Sequence, residues 1–230
     1  MQFANTMAEE TAYEKYLHAD KILSFQKKDD ELVCDGERDF QGVQQEAELI
    51  WTRVNFILKR THERMGKRDL HEAAHLLEQA ASLWSGLTAK SEELLWRLWP
   101  GDFLKLRKTL GRGSTAESPR YNESERLGRT LWTPYESVLK SRGIGLARLL
   151  ADNEGEDSDG LRSLTKAMMW YDYRVQEFNL AHLYLVFAEI GDKTVGLKGG
   201  TTGYLIKRYN KFLFPKLWDS LNELYKDFKT

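Results

Sequence analysis

Only four prolines interrupt this chain of 230 residues: Pro100, Pro119, Pro134 and Pro215. Proline removes a backbone donor and clashes with the preceding helical turn, so its scarcity leaves long stretches free to run as helix. Apolar residues in those stretches recur at three- and four-residue spacing, and no run alternates apolar and polar residues as a half-buried strand does. The expectation is an all-α chain, a helical bundle forming one domain over 1–230. The periodicity predicts helices over roughly 8–26, 37–65, 69–99, 134–151, 161–190 and 204–228. Asp69 is placed to cap the helix that follows it. Pro100 opens a shorter helix through Phe103, Leu106 and Leu110, which Gly111 stops. Composition assigns loops to GRGSTAESPRYN (111–122), to the acidic tract ADNEGEDSDG (151–160) and to a glycine-rich segment over 191–203.

A formal net charge of -1 gives no basic footprint for nucleic acid. The single cysteine, Cys34, cannot form an internal disulfide and suits a reducing compartment. The opening MQFANTMAEETAYEKYL lacks the basic-then-apolar order of a secretory signal, and no apolar run reaches membrane-spanning length. A soluble, cytoplasmic protein is expected. Seven Trp, ten Tyr and ten Phe predict an aromatic-rich interior.

Within the 161–190 helix, Val175, Phe178, His182 and Leu185 recur at helical spacing, so His182 sits on an apolar face. Such a histidine is most often a satisfied core residue, but a buried neutral imidazole is also a good axial ligand for haem iron. HEAAH matches H-E-x-x-H, in which His71 and His75 would bind zinc and Glu72 would act as base. Zinc also needs a third protein ligand, and no downstream motif supplies one. GDKTVGLKGG has the glycine separation of a phosphate loop without its Lys-Ser/Thr, and it follows a helix rather than a strand. Arg107 ends a short helix just before a glycine loop, where a guanidinium can stay in solvent or clamp a carboxylate through paired hydrogen bonds. No G-x-S-x-G elbow is present, and Cys34 has no catalytic setting.

Four blocks, in order, resemble the tryptophan 2,3-dioxygenase superfamily of histidine-ligated, haem-dependent aromatic oxygenases. YEKYLHADKILSFQ resembles that family's Tyr-x-x-Tyr-Leu opening. ERDFQGVQQEAELIW is similar to the block holding a pocket Phe, the distal residue and Glu-Leu-Trp. PGDFLKLRKTLGRGS is similar to the block with the substrate-binding Arg. The stretch from His182 to Gly191, then GLKGGTTGYL and FLFPKLWD, is similar to the proximal-His helix, glycine-rich loop and Phe-Phe-Pro segment. The nine-residue step from His182 to Gly191 fits without a gap.

The resemblance implies that His182 is the axial ligand of haem b, with O2 as co-substrate. It implies that Arg107 holds the carboxylate of an aromatic amino acid and that Phe40 lines the pocket. Tyr13, Tyr16 and Leu17 would close that pocket from a neighbouring subunit, in a homo-oligomer. Ser114, Gly199 and Gly200 would contact haem, and Thr201 substrate. The chain departs from the family at Gln44, which stands where the family has its distal His. A Gln side chain exchanges hydrogen bonds through its amide but cannot titrate as a base. The family's loop Thr falls opposite Leu197 or Lys198, Phe178 replaces a Trp, and the middle helices are trimmed. The expected activity is therefore that of a divergent oxygenase acting on tryptophan or an indole derivative. A zinc hydrolase built on HEAAH and a non-catalytic helical binding protein remain the alternatives.

Overall fold

The computed structural model describes residues 11–111, 113–151, 160–196, 202–209 and 211–226, which are predominantly helical, with no strand among them. The first elements are α1 (Ala12–Leu17) and α2 (Ala19–Ser24). Thr11 and Glu14 form a reciprocal capping box at the start of α1. A single helix was expected over 8–26. The described part is broken at His18, whose left-handed backbone (φ 51°) redirects the chain.

The segment after α2 is tied along the first turns of α3 (Gly36–Gly66). The Lys27 amide donates to the Gln41 side chain (3.0 Å), the Val33 amide donates to Glu37 (2.7 Å), and the Gln26 side chain bonds that of Gln45. A tight turn leads from α3 to α4 (Leu70–Arg97), and the two run antiparallel, as the Glu46–Lys90 (3.0 Å) and Asp39–Arg97 (3.6 Å) pairs require. Asp69 does occupy the cap position, but its carboxylate makes no capping bond. It pairs with Arg64 at 3.1 Å instead.

Next come α5 (Pro100–Leu110), α6 (Pro119–Thr130), α7 (Trp132–Arg142) and α8 (Leu146–Ala151). α5 ends at Gly111 as expected, with φ 58°. The loop expected over 111–122 is shorter than that, because Ser118 caps the Tyr121 amide (3.1 Å) and Pro119 takes the first position of α6. The helix expected over 134–151 is interrupted at Gly143, whose left-handed backbone (φ 62°) closes α7.

α9 (Leu161–Ile190) matches its expected bounds. It is followed by α10 (Thr202–Tyr209) and α11 (Pro215–Leu224), where one helix was expected over 204–228; Pro215 starts α11 anew. α9 lies beside α4 in the same direction. Gly160, at its start, meets His71, at the start of α4, and further along the Trp84 indole donates to the Tyr171 hydroxyl at 3.2 Å. The alanines of α4 (Ala73, Ala74, Ala80 and Ala81) are buried and allow this close approach. Between α3, α4, α6 and α9 the rings of Trp51, Trp84, Tyr121 and Phe178 form one cluster, with centroids 5.2–6.5 Å apart. Such tilted and edge-on pairs add to the gain from burying the rings.

The C-terminal segment is fixed by a buried charge. Asp172, with no solvent exposure, accepts from the amides of Leu213 (3.0 Å) and Phe214 (3.1 Å) and from the Trp218 indole (2.9 Å). Leu213, Phe214 and Leu217 are thereby seated in the core. Among the described residues, no helix is long and apolar enough to cross a membrane.

Candidate functional site

A cavity of about 650 Å³ opens between α3, α5, α9 and α10, beside the turn at 113–118. Its size falls in the roughly 300–1,000 Å³ range usual for ligand and cofactor pockets. Five of the residues singled out in the sequence line it: Phe40, Gln44, Arg107, Ser114 and His182. They come from three helices and a turn separated by up to 142 positions, counted from Phe40 to His182.

Each is positioned by its own element. Phe40 and Gln44 are one helical turn apart on α3, and the Phe40 ring leans on Phe103 of α5 at 6.1 Å. The Gln44 carbonyl accepts from the Thr115 hydroxyl at 3.1 Å, which fixes the amide in the wall. α5 buries Phe103 and Leu106, and this carries the neighbouring Arg107 to the cavity rim. The Arg107 guanidinium donates to the Val195 carbonyl (2.5 Å), and no carboxylate among the described residues pairs with it. Ser114 accepts from the Ala116 amide (3.3 Å) and so shapes the turn that holds Thr115. His182, half-buried on α9, is stacked on Phe178 (6.0 Å, 16°) and met edge-on by Tyr209 of α10 (6.1 Å).

Not every expected site residue reaches the cavity. Tyr13, Tyr16 and Leu17 do not line it and are exposed, at 71%, 84% and 39%. Thr201, Gly199 and Gly200 lie outside the described residues, as do residues 152–159 of the acidic tract. Of the glycine-rich segment, Gly196 reaches the cavity, and residues 202–203 belong to α10 rather than to a loop.

The cavity also contains residues that the sequence reading passed over. Lys27 and Glu37 form an ion pair at 2.6 Å in its wall. Burial disfavours the charged form of Glu37, but the Lys27 ammonium and the Val33 amide outweigh it and hold this carboxyl below its ordinary value. Glu189 of α9 behaves in the opposite way. Its Oε1 is buried without a hydrogen-bond partner, and burial alone pushes the carboxyl up to about 8. It is therefore mostly protonated at neutral pH. Glu189 follows His182 by seven residues, two helical turns along one face, a spacing that by itself does not set it apart from a surface acid.

The HEAAH residues lie elsewhere. His71 and His75 are exposed, and the His75 Nε2 is 2.9 Å from the Gln79 side-chain nitrogen. Among the described residues no group of three or more His, Cys, Asp or Glu side chains is arranged to hold a metal ion. Cys34 is half-buried, with its thiol pushed up by burial and then by Asp102.

Of the groups that could hold a haem iron, the cavity wall contains the His182 imidazole, and Phe40, Phe103, Leu106, Leu185, Val186 and Ile190 supply apolar surface against which a porphyrin could pack. Polar groups at the rim, Arg107 and the Gln44 amide, could orient a second molecule beside it. No family model and no curated protein matches this chain.

Proposed function

We propose that this chain is a haem-dependent oxygenase acting on a free aromatic amino acid, tryptophan or an indole derivative. The observation that supports it best is the convergence of Phe40, Gln44, Arg107, Ser114 and His182 on one apolar cavity. These residues come from separate sequence blocks that resemble the tryptophan 2,3-dioxygenase superfamily, and nothing in helical periodicity required them to meet.

His182 would hold the haem iron from the α9 side, and Ser114 would approach the cofactor from the 113–118 turn. When bound, the haem supplies activation of O2. The protein's own contribution is orientation. Arg107, steadied by the Val195 carbonyl, receives the substrate carboxylate through a planar pair of donors. Gln44 offers hydrogen bonds to the ring but no titratable base, so it positions the substrate rather than removing a proton from it. The exposed Tyr13, Tyr16 and Leu17 fit a lid supplied to the cavity of a second copy, which makes the active form a homo-oligomer.

An absorption spectrum of protein expressed with a haem precursor, recorded beside His182→Ala, tests the reading. The expected result is an intense Soret band that is lost or displaced in the variant. Wild-type protein without the band would overturn it. Bound zinc in its place would favour the HEAAH hydrolase, and neither cofactor would favour a helical binding protein.

A further inference from the structure

We infer that Glu189 recognises the α-ammonium group of a free amino acid in this cavity, while Arg107 takes its carboxylate. The inference rests on the amino-acid reading of the site and narrows its substrate class. It excludes N-acylated amino acids and simple aromatic acids as good ligands, because each lacks the free cation, and peptides, whose ammonium and carboxylate sit on different residues.

The argument is one of charge pairing within the cavity wall. Of its cations, Lys27 is paired with Glu37 at 2.6 Å, and Arg107 donates to the Val195 carbonyl and has no carboxylate partner among the described residues. Of its acids, Glu37 holds Lys27, and Glu48 faces Arg120 at 3.9 Å. Glu189 has no such partner among the described residues, and its Oε1 is buried with no hydrogen bond from any of them. The other ionisable side chains lining the cavity are those of His182 on α9 and Tyr209 on α10. A buried polar oxygen without a partner is costly, and a ligand group entering the cavity would complete it. Among the described residues, one cavity therefore offers a guanidinium without a carboxylate and a carboxyl without a cation. A zwitterion supplies both.

Burial is the one cause acting on the Glu189 carboxyl, and it favours the protonated form at neutral pH. An incoming ammonium reverses that preference. Glu189 then gives up its proton to solvent as the ligand binds, the carboxylate and ammonium pair, and no other bond changes.

The test is isothermal titration calorimetry on the haem-loaded protein at neutral pH, in buffers of different ionisation enthalpy. The probes are two matched pairs: L-tryptophan with indole-3-propionate, and L-tyrosine with 3-(4-hydroxyphenyl)propionate. The expected result is that the amino acid of at least one pair binds roughly 10- to 100-fold more tightly than its desamino partner, the range for a charged hydrogen-bonded contact. Its binding releases close to one proton. Glu189→Gln removes both the preference and the proton release while leaving the desamino acid's affinity unchanged. Equal binding within each pair, or a preference that survives Glu189→Gln, would overturn the inference and leave the oxygenase reading standing. Failure of both pairs to bind would overturn the amino-acid reading itself, and this inference with it. If the variant does not fold, equal binding within each pair on the native protein still overturns the inference.

Discussion

Replacing Asp172 by alanine removes the acceptor for three donors at once: the amides of Leu213 and Phe214 and the Trp218 indole. Leu213 and Phe214 are 4% and 0% exposed, so water cannot readily take the acceptor's place. Each buried donor left unsatisfied costs about 1–3 kcal/mol. Trp218 is half-buried and can recover part of its loss. The two buried amides alone therefore account for about 2–6 kcal/mol, a large share of the roughly 5–15 kcal/mol that holds a typical domain folded. Asparagine is the sharper probe. Its carbonyl oxygen can replace Oδ2, which serves Phe214 and Trp218, but its NH2 then confronts the Leu213 amide, donor against donor. Asp172→Asn should cost about 1–3 kcal/mol, from that one unsatisfied pair. Urea denaturation followed by tryptophan fluorescence measures both variants. The midpoint should fall in the order wild type, Asn, Ala, with the slope unchanged. An alanine variant within about 1 kcal/mol of wild type would refute the claim that this carboxylate anchors the C-terminal segment.

Four further outcomes are expected. Arg107→Ala should raise KM for a carboxylate-bearing substrate at least about tenfold, the effect of losing a charged contact, with the haem spectrum unchanged. A normal KM would remove the clamp from the mechanism. The raised Glu189 value means that the folded state binds the proton more tightly than the unfolded one, so ligand-free stability should fall as pH rises from about 4.5 to about 8. Melting temperatures across that window should lose this slope in Glu189→Gln. Glu136 is the reverse case: Lys140, then Lys216 and Trp132, hold its carboxyl at about 2, and Lys216 links α7 to α11. Its contribution is complete above about 4.5 and is lost as pH falls toward 2, so Glu136→Gln should flatten acid unfolding monitored by circular dichroism in that range. At Gly160 (φ 78°) a Cβ would lie 2.6 Å from the His71 backbone nitrogen. Gly160→Ala should therefore cost about 2 kcal/mol or more by urea denaturation, and removing the His71 side chain should not rescue it, because the clash is with backbone.

The long helices were legible because each one carries its periodicity and its stop signals locally. α3, α4, α5 and α9 lie within two residues of their expected bounds. The errors fall where one local signal was outweighed by another. Gly143 and Pro215 are ordinary punctuation inside stretches that otherwise read as continuous helix, and Pro119 opens a helix inside a segment whose composition reads as loop. His18 gave no comparable warning, since a left-handed backbone at a non-glycine residue follows from its surroundings. Asp69 was placed correctly, but its carboxylate found Arg64 before any helix amide.

Of the residues that line the cavity, His182 and Arg107 drew attention by their own chemistry, and Phe40 and Gln44 by the family resemblance. Glu189 could not be told from an ordinary surface acid, because its importance comes from burial and from the absence of a partner, which are properties of its neighbours. The same holds for Asp172, whose acceptors serve donors more than forty positions away. By itself the sequence determined the helical class, the main helix lengths and the apolar face on which His182 sits, because each depends on residues within a few turns of one another. The tertiary structure alone decided that α3, α5 and α9 enclose one cavity. It also decided that, among the described residues, Lys27 meets a carboxylate while Arg107 meets only a carbonyl, and that the Glu189 Oε1 is buried without a hydrogen bond. Those outcomes depend on which distant side chains exclude water from one another, and no local pattern records that.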